Sequence, residues 1–440
     1  MEIKRDILNN LNRWKESRYR KPLVLQGARQ VGKSFILKQF GEQYFENFCY
    51  VNFDFEKEHK KEFSLTKDPA RLVSYLTAVK GINIKPEKTL IIFDEIQECN
   101  DALNSLKYFR ELMPEQAVVC AGSLLGVALK REGTSFPVGN VDFMSLYPVS
   151  FKEFLVLYDE KLSHFLENFV LTSTLEKVPE IFHTQLIEAY KVYLCCSGMP
   201  ETIVRYFENR DWNEVDIVNN QILTAYTLDF AKHIDSKDIS RLQRLWQNIQ
   251  DNLAKEDRKF KYSLIEKNAR GRDYENSVEW LVLSGLVNRV FEVSTLRLPL
   301  SSCKNSSAFK LYLADSGLLR TKFRLAPTTI LQGDRLFAEF KGILTENYVL
   351  QSLVRQFGND IFYWNSGNQA EIEFVFQHSE MIIPVEAKSA LSMKAKSLSE
   401  YRKKHLPELS IRFSLKNVEK NDDLLNLPLY LADYMKNFIK

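Results

Sequence analysis

The chain has no uninterrupted apolar run approaching the roughly 18 residues that a membrane-spanning helix needs. Its six cysteines (49, 99, 120, 195, 196 and 303) form no C-x-x-C pair and no Cys/His group with zinc spacing. That pattern excludes a sequence-coded zinc site and reads as reduced, mostly buried thiols. An excess of charge is lacking as well. Sixty Lys and Arg face 57 Asp and Glu, and the net charge of +3 does not by itself commit the chain to nucleic acid. The opening Met1-Glu-Ile-Lys-Arg-Asp6 has no apolar signal core. These absences predict a soluble, cytoplasmic protein with no membrane partner. What is present, 45% hydrophobic and 27% charged residues over 440 positions, is ordinary globular composition. The length exceeds what one core supports and predicts two to four domains.

The most informative stretch is Pro22-Leu-Val-Leu-Gln-Gly-Ala-Arg-Gln-Val-Gly-Lys-Ser34. An apolar strand runs into Gly27-Ala28-Arg29-Gln30-Val31-Gly32-Lys33-Ser34, which fits G-x-x-x-x-G-K-[ST] at every fixed position. A loop whose backbone N–H groups converge on a phosphate needs glycine where a Cβ would obstruct, hence Gly27 and Gly32. The helix that follows, from Phe35, offers its free N–H groups and positive dipole end to the anion. Lys33 is then placed for the β- and γ-phosphates of ATP, and the Ser34 hydroxyl for Mg²⁺. A chance match is expected in about one or two chains in a hundred of this length, and the strand and helix around the motif argue further against chance.

Residues 48–55 mix aromatic and β-branched types as strands do, and 69–80 read as a helix. Thr89-Leu-Ile-Ile-Phe-Asp94-Glu95 is an apolar run ending in two acids, the pattern of a central parallel strand buried on both faces. Acids at its carboxyl end fall where open α/β sheets place their ligands. Asp94 can hold Mg²⁺ through water, and Glu95 can orient or deprotonate the attacking water. A third strand, Ala117-Val-Val-Cys-Ala-Gly-Ser123, puts Ser123 beside the γ-phosphate as a sensor. The same hydroxyl also suits a helix N-cap.

These segments, with Leu146-Tyr-Pro-Val-Ser-Phe-Lys-Glu-Phe154, Cys196-Ser-Gly-Met-Pro-Glu201, Lys310-Leu-Tyr-Leu-Ala-Asp-Ser-Gly-Leu318 and Pro384-Val-Glu-Ala-Lys-Ser389, resemble a family of prokaryotic AAA-type ATPases with an uncharacterised C-terminal region. The resemblance spans nearly the whole chain. It implies an α/β P-loop NTPase core of the AAA+ kind, with Lys33, Ser34, Asp94, Glu95 and Ser123 in the roles given above. Family members often carry Gly-Arg before the Leu-Tyr-Pro segment, where this chain has Val138-Gly139-Asn140. The arginine that would act in trans on a neighbour's nucleotide is therefore unassigned. Arg131 is the candidate, against the ordinary reading of a solvated surface arginine.

From Phe151 to about 235 apolar residues recur at three- and four-residue spacing, which predicts a helical lid. Residues 236–315 read as helix, basic stretch, helix and strand hairpin, resembling a winged helix in which Arg270 and Arg272 contact phosphates. A winged helix that serves only for packing is the equal alternative.

Residues 316–440 carry a second constellation. A helix bears Glu346, one strand Glu371 and Glu373, and the next Glu386 and Lys388, each pair sharing a face by alternation. Glu346, Glu373 and Glu386 are candidate Mg²⁺ ligands, with Lys388 positioning or activating water. This resembles the PD-(D/E)xK nuclease core, although that family usually has Asp where Glu373 stands. One extra methylene moves a carboxylate by about an ångström, the scale on which catalytic geometry fails. Arg402-Lys-Lys-His405 reads as a solvated helix face or a phosphate contact.

The sequence thus predicts an ATPase in four parts: ATPase domain 1–155, lid 156–235, winged-helix-like module 236–315 and nuclease-like domain 316–440. Its cofactors are ATP and Mg²⁺. The expected partners are DNA or another nucleic acid, a protein, or further copies of the chain assembled by nucleotide. Two outputs follow: turnover coupled to nucleic-acid processing, or a nucleotide switch or protein-remodelling ATPase whose C-terminal part docks without cutting.

Overall fold

The computed structural model describes residues 1–122, 139–172, 175–233, 236–255, 257–332, 338–367, 370–389 and 396–439. The chain folds as two compact units. One comprises Lys4–Tyr147 with the short segment Leu283–Leu286; the other comprises Met1–Ile3, Pro148–Val282 and Val287–Lys440.

The first unit is built on five strands: β1 (Leu23–Gln26), β2 (Asn47–Asn52), β3 (Thr89–Asp94), β4 (Val118–Ala121) and β5 (Asp142–Ser145). They lie in the order β2-β3-β4-β1-β5, and every pairing is parallel. All six residues of β3 and all four of β4 are buried, as strands covered on both faces must be. Val24, Val51, Phe93 and Val118 meet Leu103, Leu106 and Phe109 in the core. The helix Pro69–Lys80 follows local rules at both ends. Asp68 accepts from Ala70 N at 3.2 Å, Pro69 stands in the first turn, and Gly81 closes the helix in the left-handed region at φ 65°.

The strand order carries the functional consequence. β4 is inserted between β1 and β3, so the carboxyl ends of three neighbouring parallel strands converge, and ligand sites of open α/β sheets form there. The sequence shows the strands; their order is a tertiary fact.

The second unit opens with helices, the first, Phe151–Tyr158, begun by a capping box between Ser150 and Glu153. Its sheet has eight strands: β6 (Val287–Val293), β7 (Lys304–Leu313), β8 (Ile361–Asn365), β9 (Glu371–His378), β10 (Met381–Ala387), β11 (Ser410–Ser414), β12 (Glu419–Asn421) and β13 (Leu424–Pro428). Their order is β12-β13-β11-β10-β9-β8-β6-β7. The hairpin expected to be the wing of a separate module is instead the end of this sheet. β6 pairs parallel with β8, Phe291 opposite Phe362, so its outer edge is not free. The expected boundary at 315 therefore falls inside one continuous hydrogen-bonded layer, and the lid and winged-helix segments belong to the same compact unit as the C-terminal strands. The first compact unit ends at Tyr147 apart from the segment Leu283–Leu286.

Within that unit, helix Ala338–Phe357 precedes the antiparallel run β8-β9-β10. Helix Lys396–His405 then crosses to β11, which lies parallel to β10. This is the helix–strand–strand–strand order read from the sequence, extended by one crossover.

Candidate functional site

The loop from Gly27 to Gly32 joins β1 to the helix Lys33–Tyr44. Gly27 has φ 151°, and a Cβ there would run into the Leu146 carbonyl; Gly32 caps the helix at φ 94°. Both positions require glycine. Ala28 and Val31 are buried, Arg29 is half-buried and Gln30 is exposed in the left-handed region; Phe35 points outward. Arg5, just before the helix Ile7–Glu16, pins the loop from behind. It is 7% exposed and donates to Val31 O at 3.2 Å and Tyr147 O at 2.7 Å. A lone arginine in a polar segment carries no sequence signal for that role.

Lys33 is 8% exposed, and its Nζ donates to the carbonyls of Gly27 and Ala28, both at 2.8 Å. Burial lowers its pKa to about 8, with Glu95 and Asp94 pulling it partly back. These opposing influences place the ammonium within the field of both acids at the strand ends. Asp94 closes β3 and is buried; its Oδ2 accepts from Tyr50 Oη at 2.6 Å and its Oδ1 from Glu95 N at 3.0 Å. Glu95 turns the chain in the left-handed region at φ 49°, and Gln97 Nε2 donates to its Oε2 at 2.5 Å. The Ser34 hydroxyl has no protein hydrogen-bond partner among the described residues. A free hydroxyl oxygen and a buried carboxylate, both hard oxygen donors, suit Mg²⁺. Ser123 and Arg131 lie outside the described residues, although β4 ends at Ala121, two positions before Ser123.

Lys33 sets a pH dependence. The lysine must be charged to meet a phosphate, and its free-state pKa is about 8. Values of kcat/KM for ATP should therefore be level near pH 7 and fall as pH rises through 8, whereas kcat under saturating ATP should fall later. A pH–rate profile checks this. A kcat/KM unchanged to pH 10 would place the lysine's titration elsewhere.

The C-terminal acids are arranged otherwise. Glu346, Glu373 and Glu386 are all buried, and each has a cationic partner. Glu346 pairs with Arg258 and accepts from Tyr312 Oη at 3.2 Å. Lys388 Nζ lies 2.8 Å from Glu373 and 3.4 Å from Glu386, and Arg412 Nε lies 2.7 Å from the other Glu386 oxygen. Glu371 pairs with Lys310. The strands do bring Glu373, Glu386 and Lys388 together, but Glu346 is engaged by Arg258. Among the described residues no group of three or more metal-ligating side chains is arranged to hold an ion. Each of the three carboxylates thus has a cationic partner from within the chain, Lys388, Arg412 or Arg258. Lys388 keeps its charge. Burial draws its pKa down, but Glu373 and Glu386 outweigh that and raise it, which holds the ammonium charged. A lysine so held is a poor proton acceptor.

Two other quoted segments prove to be one structural device. The backbone N–H of Gly198, in Cys196-Ser-Gly-Met-Pro, donates to Asp315 Oδ2 at 2.7 Å; Asp315 Oδ1 caps the helix Ser316–Lys322 through Leu318 N at 2.8 Å. Gly317 packs so closely that a Cβ would strike the Ser197 backbone.

Comparison with known families fits the first unit. Residues 19–155 match the model of an AAA domain, and residues 187–329 and 341–430 match two domains of unknown function (DUF8612 and DUF4143). The AAA-domain match falls on the segment that carries the loop and the five-stranded sheet, and the α/β fold with its parallel sheet is the one expected. No curated protein matches the chain. Similar solved structures include the Walker-type ATPase PABY2304 of Pyrococcus abyssi, at 15% identity and TM-score 0.42, covering 73% of this chain and 96% of that one. Another is the Aeropyrum pernix ORC2 protein in its ADPNP–ADP complexes, at 14% identity and TM-score 0.35, covering 76% and 95%. A third is the Thermotoga maritima RuvB Holliday junction branch migration motor, at 12% identity and TM-score 0.30, covering 66% and 90%. Superpositions this loose carry no functional argument. No helix among the described residues is long and apolar enough to cross a membrane.

Proposed function

We propose that the chain binds and hydrolyses Mg²⁺-ATP at the P-loop, and that the second unit is a docking module controlled by nucleotide state rather than a metal-dependent nuclease. The observation that carries the first half is the buried Lys33 ammonium, held on the Gly27 and Ala28 carbonyls of the loop after β1 and within electrostatic reach of Asp94 and Glu95 at the end of β3. Residues 27–35 cradle the phosphates through backbone N–H groups, and Lys33 exchanges its loop carbonyls for phosphate oxygens. Ser34 and Asp94 hold Mg²⁺, which when bound neutralises phosphate charge. Glu95, its carboxylate oriented by Gln97, directs and accepts a proton from the attacking water. Ser123 reports on the γ-phosphate, and Arg131 is the candidate to act on a neighbouring copy.

The compensated acids support the second half. A phosphodiesterase of the expected kind needs carboxylates free for a cation, and here Arg412 engages Glu386 and Arg258 engages Glu346. Protein or nucleic acid can be the docked partner; a nucleic acid would bind through phosphate contacts and release steeply with salt. The test is Mn²⁺-dependent cleavage of single- and double-stranded DNA by the full chain and by Glu386→Ala, with ATP turnover measured alongside. ATP turnover without cleavage in either protein is the expected result. Cleavage that disappears in Glu386→Ala would restore the nuclease reading.

A further inference from the structure

A recess of about 410 Å³ opens in the second unit, where the end of helix Ser316–Lys322 meets helices Trp212–His233 and Ser236–Leu253. It lies apart from the carboxylate cluster and plays no part in the roles proposed above. Its walls carry two cations, Lys322 and Arg324, and the amides of Asn220, Gln247 and Gln250; none of the eight lining residues is acidic. Among the described residues Lys322 Nζ has no hydrogen-bond or ion-pair partner, and it lies 4.7 Å from the centroid of the buried Trp246 ring. The side-chain amides of Gln247 and Gln250 are likewise without partners there. A half-buried ammonium with no counter-oxygen is costly, since desolvation of a charge must be offset by an opposite charge or by hydrogen bonds. Burial accordingly lowers Lys322 to about 8, with only Asp251 pulling against it.

We propose that this recess binds a small ligand bearing an oxyanion, whose charged oxygens meet Lys322 and Arg324. A guanidinium offers a planar fork to phosphate or carboxylate, and an ammonium offers three donors. The free amides supply further donors, and acceptors for a polar body. The volume exceeds that of about ten water molecules, so the site has room for a ligand larger than a bare ion, lying along Leu223 and Phe323. Three of the helix's last four carbonyls are taken up by the chain that follows. Phe323 N bonds Leu319 O, Arg324 N bonds Thr321 O, and Leu325 N bonds Arg320 O. The wall is also fixed in place. Arg320, 1% exposed, donates to Leu325 O at 2.7 Å and pairs with Asp216 on the facing helix.

The P-loop also takes phosphate, so the test is made on the full chain with saturating ADP and Mg²⁺ and repeated in Lys33→Ala. Inorganic phosphate and acetate are titrated calorimetrically into wild type, Lys322→Gln, Lys322→Arg and the exposed Arg324→Gln. Phosphate binding that persists in Lys33→Ala, weakens roughly tenfold in Lys322→Gln and Arg324→Gln, and is retained in Lys322→Arg is expected. Binding of phosphate alone marks a phosphorylated ligand, and equal binding of acetate marks a carboxylate; either supports the site. Binding of neither anion, or an equal affinity in all four proteins, overturns it. Because Lys33→Ala removes the nucleotide site, failure of the ATPase reading leaves this result unaffected.

Discussion

Alanine in place of Lys33 should lower ATP turnover by at least about a hundredfold, the scale on which removal of one preorganised charge-stabilising donor acts. Phosphate release at saturating Mg²⁺-ATP measures it. The loss would not stem from unfolding. In the folded chain Lys33 is buried and its pKa falls from 10.5 to about 8. A depressed lysine pKa means that folding disfavours the charged form, at a cost of about 3 kcal/mol near neutral pH when each unit is worth 1.36 kcal/mol. That cost is largest below pH 8 and vanishes above 10.5, where both states are neutral. Against it stand two hydrogen bonds to Gly27 and Ala28 carbonyls, worth about 1.5–3 kcal/mol each. The terms nearly cancel, so thermal unfolding of the variant should stay within a few degrees of wild type. A variant that folds and turns over ATP at the wild-type rate would overturn the P-loop assignment.

The largest stability effect should come from Asp315→Ala. The side chain is 1% exposed and accepts from Gly198 N and Leu318 N, tying residues 117 positions apart. Its removal leaves two buried N–H groups unpaired, each costing about 1–3 kcal/mol. Urea denaturation should show a loss of about 2–5 kcal/mol, as a lower midpoint with an unchanged slope. Asn, which keeps one acceptor, should recover about half of that loss. The titration sign separates the hydrogen bonds from the charge. Burial raises the Asp315 pKa above 3.8 despite the backbone donors from Leu318, Gly198 and Gly317. The folded state therefore holds its proton more tightly than the unfolded chain. Stability relative to Asp315→Asn should fall as pH rises from 3.8 through the folded-state pKa. An Ala variant with a wild-type midpoint would show that the two segments are held by packing alone.

What was legible in the sequence shares one property: the residues concerned are consecutive or nearly so. The turn from β1 into its helix is written in thirteen successive residues because loop, cap and dipole act within one or two turns. The burial of β3 follows from an unbroken apolar run, and the order of helix and strands after residue 338 from alternation. The α/β class came from these local patterns, and the AAA-type expectation from the family resemblance that the same segments carry. Where a strand goes in a sheet is another matter. The insertion of β4 between β1 and β3, and the capture of β6 by β8 that makes a wing into a sheet edge, depend on which edges are left to pair. Periodicity contains no term for that choice. The same holds for charges. Glu386 and Lys388 could be placed on one face from spacing, but Arg412 and Arg258, which neutralise Glu386 and Glu346, come from 26 and 88 residues away. The sequence by itself determined the glycine-bracketed loop after β1 and the acids at the end of β3. Only the tertiary structure decided which cations the C-terminal acids meet. A charge taken out of water must find its partner in space, wherever along the chain that partner lies.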